Sequence, residues 1–468
     1  MSFHLIKTIC FVLLPSVLIS NLCRAELADT ALWPTNQSTG ICADTPLRLT
    51  FNQPPVPGQK GKITVYRAID NKLADMFDLS AAGFTNNFGG KTLHYDPIQV
   101  ADNVATIELH SHALNPGGSY YVNIEPGVFT DLKGDEFGGL TNNSAWKFSI
   151  REAFPRGRTN LVVAADGTGD FCTPQGAVDY VSDDNQLPVE VFIRKGVYYG
   201  MIYVMPDKGH IHFIGEDRKD TVIAGCNNDR FNSGRIGRSL VSVDANDFVL
   251  ENLTLHNTTP YRGSQAEALR VNGDRCILRN DDFYSFQDTL LLSGRVYATN
   301  CYIEGDVDFI WGQGTVFFDQ CEIKAVHSGY YLQTRNPEDR IGYVFYKCKL
   351  TASAEVQTCL LARIDADRFP YSQAAFINCQ MGVQVPPVGW EAKGTNVSHL
   401  QFTEFHSTDA QGKILDVSQR LPASRQLTEA AVAELSDPAK VFARHDTWNP
   451  RIAAAQNVES FETKSTNP

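Results

Sequence analysis

Asn300-Cys301-Tyr302-Ile303 returns twenty residues later as Gln320-Cys321-Glu322-Ile323. It returns again as Lys347-Cys348-Lys349-Leu350 and Asn378-Cys379-Gln380-Met381, and Asn280-Asp281-Asp282-Phe283 fits the same slot with Asp281 in place of the cysteine. The steps are 20, 20, 27 and 31 residues. A repeat of that size, rich in β-formers and without amphipathic helices, marks a solenoid in which each unit buries its apolar side only against its neighbours. The fold expected over residues 152–453 is therefore a right-handed parallel β-helix, and the class all-β. The cysteines would form an inward ladder of small buried side chains rather than disulfides.

Upstream the rhythm differs. Leu47, Leu49 and Phe51 alternate with polar residues, as do Ile63 and Val65, Ile107 and Leu109, Tyr120, Val122 and Ile124, and Trp146, Phe148 and Ile150. Pro116-Gly117-Gly118 and Lys133-Gly134-Asp135 supply turns between them. About a hundred residues of this texture predict a small β-sandwich over 26–151, and the segment resembles bacterial Ig-like domains. It carries no catalytic cluster, so an inert spacer is favoured over a weak carbohydrate-binding module. A polar stretch from Glu152 to Asn160 reads as the linker.

Residues 1–25 read as a signal peptide: Lys7, an apolar run from Thr8 to Ser20, then Cys23-Arg24-Ala25 as a cleavage site. A lipoprotein reading through Cys23 is disfavoured by the bulk of Leu22. The expected destination is outside the cell, or the periplasm or cell surface if the source is Gram-negative. No later stretch is long and apolar enough for a membrane helix, so no stable membrane insertion is expected. Residues 454–468 read as a tail. A net charge of −12 argues against nucleic acid as a partner. No CxxC pair suggests zinc. His210 and His212, on one face if the strand alternates, read as structural because no further ligands match them. No metal and no cofactor are expected, and the chain is expected to act as a monomer.

The coil step places two acids together without reference to any family. Asp308 lies 20 residues after Asp288, the same step as Cys301 to Cys321, so the two occupy equivalent slots on coils about 4.8 Å apart. Gln265 falls 23 residues before Asp288, about one coil earlier. Two carboxyls at that distance resist joint ionisation, so one keeps its proton to higher pH. An acid beside a carboxylate makes an acid–nucleophile pair.

Three blocks in order, Ser264-Gln265-Ala266-Glu267-Ala268-Leu269-Arg270-Val271, Phe286-Gln287-Asp288-Thr289-Leu290 and Val307-Asp308-Phe309-Ile310-Trp311-Gly312, resemble the signature blocks of pectinesterases. Ala165-Asp166-Gly167-Thr168-Gly169-Asp170-Phe171 resembles the family's opening block, and Val388-Gly389-Trp390 and Thr403-Glu404-Phe405 resemble its late motifs. The resemblance spans residues 157–453. It implies demethylation of methyl-esterified polygalacturonate (pectin) to pectate and methanol through an aspartyl acyl-enzyme. Asp308 matches the nucleophile, Asp288 the general acid, Gln265 and Gln287 the oxyanion-binding amides, and Arg363 the arginine that holds the nucleophile. Phe309 and Trp311 are expected at the substrate.

At the arginine the family usually reads Leu-Gly-Arg-Pro-Trp, whereas this chain reads Leu361-Ala362-Arg363-Ile364-Asp365. Phe369 or Tyr371 is expected to supply the missing aromatic surface. Glu267 stands where plant relatives often have Val; if the segment is extended it shares the face of Gln265, facing solvent or touching substrate. Rival readings are an esterase or thioesterase on another acyl group, a non-catalytic pectin-binding β-helix, and a polygalacturonase using Asp281 and Asp282. The last is disfavoured because adjacent strand residues face opposite sides. The acidic overall charge leans towards highly methylated substrate.

Overall fold

The structure, a computed structural model, describes residues 27–154, 157–443 and 446–452, with side chains in the first strand from Leu32 onward. The signal peptide at 1–25 and the tail at 454–468 lie outside the described residues. No described helix is long and apolar enough to cross a membrane.

The first domain is a β-sandwich. One sheet orders the strands Leu27–Trp33, Leu47–Phe51, Val104–Ile107 and Ile98–Ala101; the other orders Ser38–Ile41, Lys147–Ile150, Ser119–Ile124, Lys62–Arg67 and Leu73–Asp78. Alternation does what period two requires: Leu47, Leu49 and Phe51 are fully buried, and Arg48 and Thr50 between them are not. Trp146, also fully buried, donates its indole N–H to the Pro34 carbonyl at 2.7 Å.

Beyond the linker the chain winds as a parallel β-helix. One face is an 11-stranded parallel sheet from Asn160–Val163 to Arg425–Gln426. The other two faces join into a 14-stranded sheet through two long strands, Tyr302–Gly312 and Glu322–Thr334, each of which turns the corner between them. The pairings Cys276↔Val296, Val296↔Val316, Val316↔Tyr343 and Tyr343↔Ala374 step by 20, 20, 27 and 31 residues, the steps of the cysteine fragments. Cys301, Cys321, Cys348 and Cys379 are buried free thiols, and Asp281 is buried in the same slot. The residue before each slot (Asn280, Asn300, Gln320, Lys347, Asn378) has φ between 54° and 59°. That left-handed corner is why asparagine, which tolerates the region better than most residues, recurs there. Inside the coils Phe345 stacks flat between Phe318 and Phe376, with centroids 4.6 and 4.5 Å away.

One end and one outer face of the solenoid are covered. At the N-terminal end the helix Pro174–Tyr180 buries Pro174, Ala177 and Val178, and Val181 joins them in the coil core. The sandwich holds this helix in place: Asp44 accepts hydrogen bonds from the Thr173 amide, the Thr173 hydroxyl and the Cys172 amide at 2.7–3.0 Å. Met201 and Tyr203 of the β-helix complete the sandwich core, and Asn232 makes two hydrogen bonds to the backbone of His94. After the last coil the helices Glu429–Leu435 and Pro438–Phe442, which the coil pattern did not reveal, fold back along the outer face of the 11-stranded sheet, where Val441 and Phe442 pack with Tyr297, Phe317 and Val344.

Candidate active site

The pairing Leu290↔Ile310 and Leu291↔Trp311 sets the 20-residue step that aligns Asp288 with Asp308. Both aspartates have left-handed backbone, φ 68° and 51°. Both are buried, at 8% and 5% exposed. Coil-to-coil bonds fix the stack: the Ala266 amide donates to the Gln287 carbonyl at 3.1 Å, and the Asp288 amide to the Val307 carbonyl at 3.2 Å. Gln265 and Gln287 are half-buried, Gln287 next to Asp288 in the chain and Gln265 one coil earlier, next to Ala266 in this backbone ladder.

The two carboxyls have unlike partners. Arg363, from the strand Cys359–Asp365, donates from Nε to both Asp308 oxygens at 2.9 and 3.1 Å and from Nη2 to Oδ2 at 2.6 Å. Gln333 adds a fourth bond at 2.8 Å. Such donors favour an ionised carboxylate. Burial still raises Asp308 above the usual carboxylate value, with Arg363 opposing it. Asp288 has one partner, Arg238 Nη2, at 2.9 Å. Burial, then the negative charges of Glu267 and Asp308, lift its carboxyl well above the usual range, against Arg238 and Arg335. An Asp308 gripped by cationic and amide donors beside an Asp288 whose proton affinity is raised further is an unequal carboxyl pair, the kind that can divide nucleophile and acid roles.

Several sequence expectations are corrected. Phe309 is fully buried and packs on Tyr331, 5.4 Å between centroids. The left-handed Asp308 before it and the irregular register between Val307 and Ile310 break the strict alternation. It cannot touch substrate. Glu267 neither faces solvent nor reaches substrate: residues 264–268 form no strand, so period two does not hold, and its fully buried carboxylate is clamped by Arg238 at 2.7–3.0 Å. Trp311 borders the site but is only 3% exposed, with Arg335, Arg235 and Arg238 at 4.6, 5.2 and 5.4 Å from its ring. Phe369 shares Arg335 with Trp311, at 5.5 Å, whereas the Tyr371 ring meets His399. His210 has left-handed backbone just before the strand Ile211–Gly215, so it and His212 do not share a strand face; His212 pairs with Glu251 at 2.9 Å.

The sequence reading missed Arg238, Gln333 and Arg335, and also Tyr330, whose ring lies 4.4 Å from the Arg363 guanidinium and whose hydroxyl donates to Glu391. It missed a second aromatic wall as well. Tyr261 stacks on His327 at 3.7 Å and packs on Phe286, next to Gln287, and is 42% exposed. Among the described residues, the three-member group of potential metal ligands is Cys42, Asp44 and Cys172. It lies at the sandwich–helix junction, where Asp44 already accepts from the backbone amide of the helix N-cap Thr173. A cavity of about 350 Å³ opens at the same junction, lined by Phe88, His110, Phe154 and Phe171 and not by the aspartate pair.

Comparison with known proteins agrees with this geometry. Residues 160–434 match the pectinesterase family model, and residues 27–150 match the bacterial Ig-like domain. Pectinesterase 31 of Arabidopsis thaliana is 31% identical over 301 residues, covering 62% of this chain and 92% of that protein. A pectinesterase of Daucus carota is 30% identical, covering 54% and 83%. The pectin methylesterase from carrot superposes with a TM-score of 0.57 at 27% identity, covering 62% of this chain and 95% of that one. PemA of Erwinia chrysanthemi, at 23% identity and a TM-score of 0.52, shares the fold over 64% of this chain and 99% of its own. The chain belongs to the pectinesterase family.

Proposed function

We propose that this protein is an exported carboxylic-ester hydrolase that demethylates methyl-esterified polygalacturonate through an acyl-enzyme on Asp308. The observation that carries the reading is the asymmetry of the carboxyl pair: four donated bonds hold Asp308, and one holds Asp288. The Asp308 carboxylate attacks the ester carbonyl carbon, and the oxyanion is met by the amides of Gln265 and Gln287. As the tetrahedral carbon collapses, Asp288 gives its proton to the methoxy oxygen and methanol leaves. Asp288, now ionised, takes a proton from water as the water attacks the acyl carbon, which releases the galacturonate carboxyl and frees Asp308. Pectin enters as substrate because the family's named members act on it; the sequence of residues 1–25 supports export.

Polygalacturonase chemistry finds no carboxyl pair at Asp281 and Asp282. Asp281 is buried in the ladder, accepting from the Leu253 and Arg279 amides, and the fully buried Asp282 is paired with Arg218 and Lys219. Methanol release and reducing-end formation, measured together on highly methylated polygalacturonate, test the proposal. Methanol without new reducing ends is expected; new reducing ends without methanol would replace the esterase with a chain-cleaving enzyme, and neither would leave a binding protein.

A further inference from the structure

We infer that Glu267 and Arg238 form a buried charge pair that positions Asp288 and sets the pH range over which it can act as the acid. Arg238, itself 8% exposed, gives Nε and one Nη2 hydrogen to Glu267 and reaches Asp288 Oδ2 from the same Nη2. Three acids therefore share one guanidinium, with Asp229 on Nη1. Glu267, with no exposed surface, takes the bidentate side, which is the geometry that best compensates a buried carboxylate. The charge of Arg238 is thereby partly balanced, and to Asp288 it is chiefly a donor fixing Oδ2. The other Asp288 oxygen, Oδ1, is left to carry the proton towards the substrate.

The charged groups around Asp288 come from the coils on both sides of it. Glu267 and Asp308 raise its proton affinity, Arg238 and Arg335 lower it. Asp229 contacts Arg238 from behind at 3.3 Å, and Arg363 and Glu391 act on Asp308. Of these Glu267 makes the closest contact with Arg238, whose charge opposes the rise that burial gives the Glu267 carboxyl. Neither residue touches substrate, so both are positioning residues. The inference rests on the ester-hydrolase reading for its kinetic consequence, but not for its electrostatic one.

Glu267→Gln leaves Arg238 balanced by Asp229 and Asp288 alone, so its charge bears more strongly on Asp288. Asp288 then ionises at lower pH, and the alkaline limb of the kcat profile is expected to move to lower pH by about one unit, a tenfold change in proton affinity. KM at the pH optimum is expected to change much less. Glu267→Asp should restore the parent profile. Combining Glu267→Val with Arg238→Met removes both charges and should bring the limb back towards the parent. A folded Glu267→Gln whose alkaline limb coincides with the parent's, or a double variant displaced as far as the single one, overturns the inference. Carbon-13 titration of aspartate- and glutamate-labelled parent protein, with Asp288→Asn and Glu267→Asp to assign the signals, needs neither turnover nor a stable Glu267→Gln. Glu267 ionised while Asp288 stays protonated above the usual carboxylate range supports it; the proton on Glu267 with Asp288 ionised overturns it. A parent that releases no methanol would defeat the esterase reading and leave this titration standing.

Discussion

A pair of like acids does different work when its neighbours differ, and here the neighbours are arginines. Arg363 spends three donated bonds on Asp308, and its charge opposes the burial that raises that carboxyl. A rate that needs Asp308 ionised and Asp288 protonated is bell-shaped in pH. Arg363→Gln removes the opposing charge, so Asp308 should hold its proton to higher pH and the acid limb of kcat/KM should move upward. An acid limb that stays in place or moves down would mean Arg363 does not set the ionisation of Asp308. The substrate wall divides the two aromatic candidates. Phe369 shares Arg335 with Trp311, and Tyr371 faces His399. Phe369→Ala should raise KM for pectin about fivefold, for a stacking contact of about 1 kcal/mol, and Tyr371→Ala should leave it near the parent value; the reverse order would move the sugar site to Tyr371. The aspartates, glutamines and Arg363 were legible in the sequence because they sit inside ordered motifs. Arg238 was not. Its partner Glu267 lies 29 residues on, across a coil whose length no repeat defined, and an arginine in a loop looks like any solvated charge until the register is known.

The coil is the element that makes the site possible, and its register shows why the repeat was readable. Strands that step by 20, 20, 27 and 31 residues put one kind of residue at one corner, so the left-handed corner and the inward slot repeat in the sequence. Phe309 escaped the reading because the left-handed Asp308 interrupts the alternation that would have turned it outward. Stacking of like residues down the coils is also where the stability of the element concentrates. Phe345 is sandwiched by two parallel rings, so Phe345→Ala leaves a cavity on both sides and is expected to cost about 3–5 kcal/mol. Denaturant unfolding measures it, and a loss under about 1 kcal/mol would show that the coils collapse into the gap.

At the scale of the molecule, the sandwich is more than a spacer strung before the enzyme. The sequence shows two rhythms across a polar linker, which suggests an independent module, but it cannot show which surfaces meet. Asp44 anchors Thr173, the N-cap of the helix that closes the β-helix end, and Met201 and Tyr203 are buried by the sandwich. Deleting residues 26–151 should therefore lower solubility and thermal midpoint, with Asp44→Ala giving a smaller loss in the same direction, about 1–3 kcal/mol for buried donors left without an acceptor. A truncated protein with the parent's midpoint would restore the spacer reading. Charge is also local. The chain carries −12 overall, yet Arg235 and Arg335 gather at Trp311 and Arg335 and Arg368 at Phe369, so the net figure does not describe what an approaching polyanion meets. All of this serves one claim, that Asp308 is the nucleophile of an ester hydrolase. Methanol release by Asp308→Asn, which keeps the shape and one of the two oxygens that Arg363 grips, tests it most directly, with circular dichroism to confirm the fold. A loss of about 10³-fold or more against the parent is predicted; a folded Asp308→Asn that still releases methanol at a rate near the parent's would contradict it.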